Sequence, residues 1–172
     1  MKLFLDEVKN MRELKEKLNE NDNIQQEYKV AVIVYAFDED NRIIFQRRGP
    51  GCRDERFKLE TIGGRVKEDD IDFRSALYRE IVEEVGNEAN IEIEEFITST
   101  YAKTYDTRNN KEQAWVYLTY KGKLKSGELK IAEPDKCLGY EKYKIGKVDE
   151  NELSNGAKEL YKIVSEKYSY LK

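Results

Sequence analysis

The chain has 172 residues, enough for one domain with a real core, and its 39% apolar and 38% charged residues give a globular rather than a disordered composition. A formal net charge of −4, from nearly balanced acids and bases, argues against duplex nucleic acid or an anionic membrane as partner. Two cysteines without metal-ligand spacing argue against a disulfide framework and a thiolate zinc site, and with no histidine any acid, base or metal chemistry must run on carboxylates, lysine, tyrosine or backbone.

The N-terminal stretch MKLFLDEVKNMRELKEK is charged throughout, and no run approaches the roughly 20 apolar residues of a membrane span, so a cytoplasmic protein is expected. Residues 6–19 read as a first helix, with Asp6 as cap and Val8, Met11, Leu14 and Leu18 recurring on one face. After the polar NENDN, YKVAVIVYAF reads as a strand buried on both faces, and DEDN as the turn that joins it to RIIFQRR in a hairpin. A basic loop, RRGPGCRDERF, leads to the short strand KLETI and the pair Gly63–Gly64. A helix follows from its cap Asp72 to the terminating Gly86. IEIEEFITSTYAKTY and QAWVYLTYKG flank the turn DTRNNKE as a long hairpin. Beyond the acidic loop EPDKCLGYEKYKIG, residues 155–170 form a last amphipathic helix with Ala157, Leu160, Val164 and Tyr168 on its apolar face. Hairpins without regular βαβ alternation favour an α/β fold with a mixed sheet and helices on both faces. One domain is expected over 1–172, with 1–24 as an N-terminal helical extension and 25–172 as the core.

The helix before Gly86 carries Glu80, Glu83 and Glu84 in its last turns, where the dipole disfavours anions by about 0.3–1 kcal/mol each. Leu77, Tyr78, Ile81, Val82 and Val85 are expected to pack on the core, with the three glutamates on a nearly opposite arc. A cation among the acids would offset both the dipole and their mutual repulsion. Gly63 and Gly64 allow close approach of backbone, and an all-oxygen donor set suits Mg²⁺ or Mn²⁺. An ion so held takes substrate phosphates as its remaining ligands, which points to phosphate chemistry.

The segment GGRVKEDDIDFRSALYREIVEEVG at 63–86 resembles the Nudix box, G-x5-E-x7-R-E-U-x-E-E-x-G-U with U aliphatic, and REIVEEVG matches its most specific half without a gap. Gly64 takes the leading glycine, Arg79 the arginine, Glu80, Glu83 and Glu84 the three glutamates, and Gly86 the closing glycine. There are two departures. Asp70 stands for the first glutamate with eight residues rather than seven before Arg79, leaving Glu68 and Asp69 as alternatives, and Asn87 replaces the final aliphatic residue. The resemblance implies a Nudix-type α/β/α sandwich and Mg²⁺- or Mn²⁺-dependent hydrolysis of a nucleoside diphosphate linked to another moiety. It also implies Glu80, Glu83, Glu84 and a Gly63 carbonyl as metal ligands, with Arg79 orienting the acids. The proton acceptor is one of the box glutamates or a later acid, with Glu133 the candidate and Asp135 and Glu141 its competitors.

The tail AEPDKCLGYEKYKIGKVDENEL is similar to the region after the box in Nudix enzymes acting on nucleoside triphosphates, so cleavage of a triphosphate to monophosphate and pyrophosphate is the first expectation. An ADP-ribose, nucleotide-sugar or dinucleoside-polyphosphate hydrolase is the alternative within the family, and a catalytically inactive nucleotide sensor is the alternative outside enzymes. Arg47, Arg48, Arg53 and Arg56, with Gly64, are expected at the substrate phosphates. Trp115, Tyr117, Tyr101 and Tyr105 offer aromatic faces that suit either a nucleobase or the core. The expected partner is a small nucleotide derivative; a homodimer is compatible with the family resemblance.

Overall fold

A computed structural model describes residues 2–19, 27–107 and 109–172 of the chain. Among these residues the elements are α1 (Met11–Asn19), β1 (Tyr28–Phe37), β2 (Ile43–Arg48), β3 (Leu59–Glu60), β4 (Ile62–Arg65), α2 (Phe73–Val85), β5 (Asn90–Asp106), β6 (Lys111–Ser126), β7 (Cys137–Tyr143) and α3 (Asn155–Lys167). The strands form one mixed sheet along the path β3-β2-β1-β6-β5, with β4 also on β1 and β7 also on β2. This is the expected α/β/α sandwich: one apolar cluster fills the face under α1 and α2, and a second, rich in aromatic rings, fills the face under α3.

Strand β1 organises the sheet because its apolar run is buried along nearly its whole length. It pairs in parallel with β6 from Tyr28↔Ala114 to Phe37↔Lys123, and antiparallel with β4 from Ala31↔Arg65 to Val34↔Ile62. The β1–β2 turn forms as expected: Asp38 accepts from the Asp40 and Arg42 N–H groups, and Asn41 takes φ 57°. The hairpin does not extend, because its register is held only at Phe37↔Ile43 and β2 splays away to pair with β7 and β3. Into that opening β4 brings Gly63 and Gly64 beside β1. The long β5–β6 hairpin forms as predicted, and three register shifts between Asn90 and Thr98 bend it.

Three expectations about the helices are corrected. The first helix begins at Met11, not near residue 6: the Asn10 side chain accepts from the Arg12 and Glu13 N–H groups at 3.1 Å, while Asp6 instead pairs with Lys17 at 2.9 Å. The segment ahead of it lies along β5, where the Leu3 N–H donates to the Ser99 carbonyl and the Ser99 N–H to that of Phe4. The last helix ends at Lys167, with a 3-10 turn at Ser169–Leu171 and Tyr168 buried between them.

The third correction concerns α2. Its cap and stop are as predicted, with Asp72 accepting from the Ser75 N–H at 2.7 Å and Gly86 at φ 82°. Its buried stripe, however, is Phe73, Ala76, Leu77, Glu80, Ile81 and Val85, while Tyr78 and Val82 are exposed. At 100° per residue, Glu80 and Glu84 fall between Ala76 and Leu77, on the inward side and not opposite it. The helix points two of its acids into the protein.

Candidate active site

The inward acids find room because the facing strand has no side chains there. A Cβ on Gly64 would stand 2.2 Å from Glu80 Oε2, and one on Gly63, at φ 142°, 2.2 Å from the Val32 carbonyl oxygen. The Gly63 N–H donates to Glu84 Oε2 at 2.8 Å. Gln46 on β2 donates through Nε2 both to Glu84 Oε1 and to the Thr61 carbonyl, each at 3.1 Å. Burial still pushes the Glu84 carboxyl up to about 8, with the negative charges of Glu80 and Glu60 adding to the rise. Burial raises Glu80 as well. The carbonyls at the end of α2 are met by the Tyr140 hydroxyl and the Gly86 and Lys130 N–H groups, so the terminus carrying these acids is well closed.

Arg79 binds the cluster together. Its guanidinium forks onto Asp70 at 2.9 and 2.7 Å, contacts Glu80 at 2.5 Å and Glu83 at 3.2 Å, and donates to the Arg65 carbonyl at 3.1 Å. Asp70 is held below the ordinary carboxylate range chiefly by this fork. It also accepts from the Lys67 N–H at 2.7 Å, closing the turn 67–70. The additional residue falls ahead of the helix, where Ile71 is 87% exposed, and α2 runs unbroken from Phe73. Lys67 Nζ meets Glu83 at 2.9 Å and, with Arg79, holds its carboxyl below the usual range.

Gly63, Gly64, Glu80, Glu83 and Glu84 line one cavity of about 470 Å³. Among the described residues, no three Cys, Asp or Glu side chains stand arranged to hold a metal ion: Arg79 draws Glu80, Lys67 draws Glu83, and the Gly63 N–H draws Glu84. The donor chemistry nevertheless fits a hard divalent cation, since three acidic side chains and a glycine backbone line one cavity and all offer oxygen donors.

Of the expected phosphate-binding arginines, the fold brings Arg48 and Arg53 to this cavity and not Arg47 or Arg56. Arg47 is tied to Glu141 and Glu152, each at 2.7 Å, and to the Phe57 carbonyl, while Arg56 donates to the Cys52 carbonyl at 2.9 Å. Glu133 lines the cavity, 2.7 Å from Lys136 Nζ. Asp135 and Glu141 do not line it; Glu141 is held by Arg47 and by the Tyr143 hydroxyl at 2.6 Å.

A smaller cavity of about 160 Å³ adjoins the first, and Arg48, Arg53, Gly63, Gly64 and Arg65 line both. Trp115 and Tyr117, two apart on β6 and therefore on one face, stack at 6.0 Å between ring centres and line it. Arg53 lies 4.9 Å above the Trp115 ring, and Trp115 Nε1 donates to Thr104 at 3.1 Å. Asp54, Glu55 and Glu60 line it as well.

Residues 27–165 match the family model described as the NUDIX domain, over most of the chain's length. The chain belongs to the NUDIX family. Membership makes it a hydrolase acting on pyrophosphate bonds, in a family whose hydrolases generally use divalent metal ions. The fold is shared with a MutT NUDIX hydrolase from Burkholderia pseudomallei, at TM-score 0.63 and 22% identity over 81% of this chain and 99% of that one. It is shared also with the NUDIX domain of Shewanella oneidensis NrtR complexed with ADP ribose, at TM-score 0.62 and 13% identity over 90% and 98% of the two chains. An ADP-ribose pyrophosphatase from Streptococcus suis aligns at TM-score 0.57 and 15% identity over 83% and 92%. Comparison with curated proteins gives no match.

Several residues at the two cavities are not singled out by the sequence pattern. Arg65 and Lys67 lie within the box segment itself, as cations beside the glycine pair. Gln46 is the first polar residue of the apolar run IIFQ, a signal of a buried hydrogen-bonding role. Lys136, Asp54, Glu55 and Glu60 carry no such signal and are assembled by the packing of loops.

Proposed function

We propose that this NUDIX chain is a cytoplasmic, Mg²⁺- or Mn²⁺-dependent nucleoside triphosphate pyrophosphohydrolase that releases the monophosphate and pyrophosphate. The observation that carries this reading is the union of the two cavities. Five cationic side chains, Arg48, Arg53, Arg65, Lys67 and Lys136, surround the acidic helix face, and the cleft opens into a compact aromatic pocket. Arg48 and Arg53 pair with Asp54, Lys67 with Glu83 and Lys136 with Glu133, so a polyphosphate with its metal ion would exchange carboxylate partners for phosphate oxygens. Five such donors suit a triphosphate better than a diphosphate bridge. A pocket of about 160 Å³ has space for one base rather than for a second nucleoside.

In this reading Glu80, Glu83, Glu84 and the Gly63 carbonyl hold the metal, and Arg79 keeps the acids oriented from its anchor on Asp70. A bound divalent cation supplies charge neutralisation at phosphate oxygens and a more acidic water. Arg48 and Arg65 orient the phosphate chain, and Arg53 moves from the Trp115 face as the base enters. Glu133, at the cavity wall, accepts the proton of the attacking water. The test is product release from a panel of nucleoside triphosphates, ADP-ribose, nucleotide sugars and dinucleoside polyphosphates with Mg²⁺ or Mn²⁺. Triphosphates are expected to give pyrophosphate and monophosphate; preferential turnover of ADP-ribose, nucleotide sugars or dinucleoside polyphosphates, or binding of every compound without turnover, overturns the assignment.

A further inference from the structure

Two cations touch Glu83, and they are held very differently. Arg79 is fixed by Asp70, Glu80 and the Arg65 carbonyl besides Glu83, and it is largely covered. The Lys67 ammonium makes its one ion pair among the described residues with Glu83, feels the charges of Asp70 and Glu80 only at longer range, and the two paired side chains are 49% and 43% exposed. An ion pair so exposed is weak and easily exchanged. The Lys67 backbone, by contrast, is pinned, because its N–H donates to the same Asp70 carboxylate that anchors Arg79. A long side chain with several rotatable bonds is thus tethered at a fixed point on the wall of a cavity that also holds Glu80, Glu84, Arg65 and Lys136.

We propose that Lys67 is an exchangeable internal counter-ion: it holds Glu83 until a divalent cation claims that carboxylate, and the released ammonium then binds a phosphate group of the substrate. This inference rests on the reading of the cavity as a metal and phosphate site. Competition for the one carboxylate and the one ammonium gives it two opposite consequences. Taking Glu83 from Lys67 costs the metal a pairing, so removing the lysine should tighten metal binding. The phosphate loses a partner at the same time, so the same change should weaken the substrate.

The experiment uses the full chain as Lys67→Met and Lys67→Arg. Binding of Mn²⁺ without nucleotide is read from the electron paramagnetic resonance signal of the free ion. Lys67→Met should bind Mn²⁺ about three- to fivefold more tightly than wild type. With the best nucleotide of the panel and saturating metal, its KM should rise about tenfold while kcat changes less than threefold. Lys67→Arg, which keeps the charge, should stay near wild type in both readouts. Unchanged or weaker Mn²⁺ binding by Lys67→Met overturns the exchange, and an unchanged KM overturns the phosphate contact. If the wild type turned over no triphosphate, the assigned substrate would fall, and the Mn²⁺ titration, which needs no substrate, would still decide the exchange.

Discussion

Helices α2 and α3 have the same length, 13 residues, and the same capping chemistry, and they pack on opposite faces of one sheet. Asp72 caps the first through the Ser75 N–H and Ser154 caps the second through that of Ala157. They part at their C-terminal turns. α3 ends on Lys167, the charge its dipole favours, whereas the last turn of α2 has no basic residue and carries Glu83 and Glu84. α3 turns a stripe of Ala157, Leu160, Tyr161 and Val164 inward; α2 places Glu80 inside its stripe. Backbone and caps make both helices; only one departs from the rules of stability, and it does so on the side that faces the glycine pair.

The sharpest way to separate the two helices is to neutralise charge on each. Glu83→Gln and Glu84→Gln should each lower kcat/KM by about 10²-fold or more, while Lys167→Gln on α3 should change it less than twofold. A steady-state assay on the preferred nucleotide reads both. Core truncation should instead show the helices as equals. Leu77→Ala is expected to cost about 3 kcal/mol and Val164→Ala about 2 kcal/mol in urea denaturation, since both side chains are fully buried.

Acidity offers a subtler contrast. A carboxyl that ionises near 4.5 in the unfolded chain and at about 8 in the fold keeps its proton longer when folded. Its contribution to stability is then full below about pH 4.5 and is lost as pH rises through 8. In chelator, Glu84→Gln should therefore melt a few degrees above wild type at pH 8 and almost with it at pH 5, and added Mg²⁺ should close the gap from the wild-type side. Differential scanning fluorimetry at the two pH values measures this. The caps should give the smallest effects: about 1 kcal/mol for Asp72→Ala, and rather more for Ser154→Ala, whose hydroxyl also donates to Glu60 at 2.6 Å.

Much of this contrast is legible in the residues. The caps at Asp72, the stop at Gly86 and the reversed charges of EIVEE follow from local chemistry, and local chemistry survives in the fold. The orientation of α2 is not legible in the same way. Tyr78 and Val82 look like core from their apolarity alone, and Glu80 and Glu84 look like surface from their charge. Which side faces inward depends on where the sheet leaves space, and that is decided by Gly63 and Gly64 on β4. The arginines divide for a similar reason. Arg47 and Arg48 are neighbours on β2, so they point to opposite faces; one meets Glu141 and Glu152 and the other the cavity. Only the fold, which brings β7 with Glu141 beside β2 and the loop with Glu152 close to it, shows that Arg47 has carboxylates waiting.

One wall of the cleft is made by two stretches of chain in close contact. The Gly49 N–H donates to the Lys136 carbonyl at 2.6 Å and that of Gly51 to the Asp135 carbonyl at 2.7 Å. A Cβ on Gly49 or Gly51 would stand 2.4 or 2.8 Å from that Asp135 oxygen. The stretches are remote in sequence yet geometrically interlocked: Gly49 and Gly51 cannot accept a side chain at the seam unless the backbone at Asp135 moves. Engineering a new substrate preference by loop grafting would thus require both stretches from the same donor, since a hybrid seam would shift Arg53 and Glu133 together.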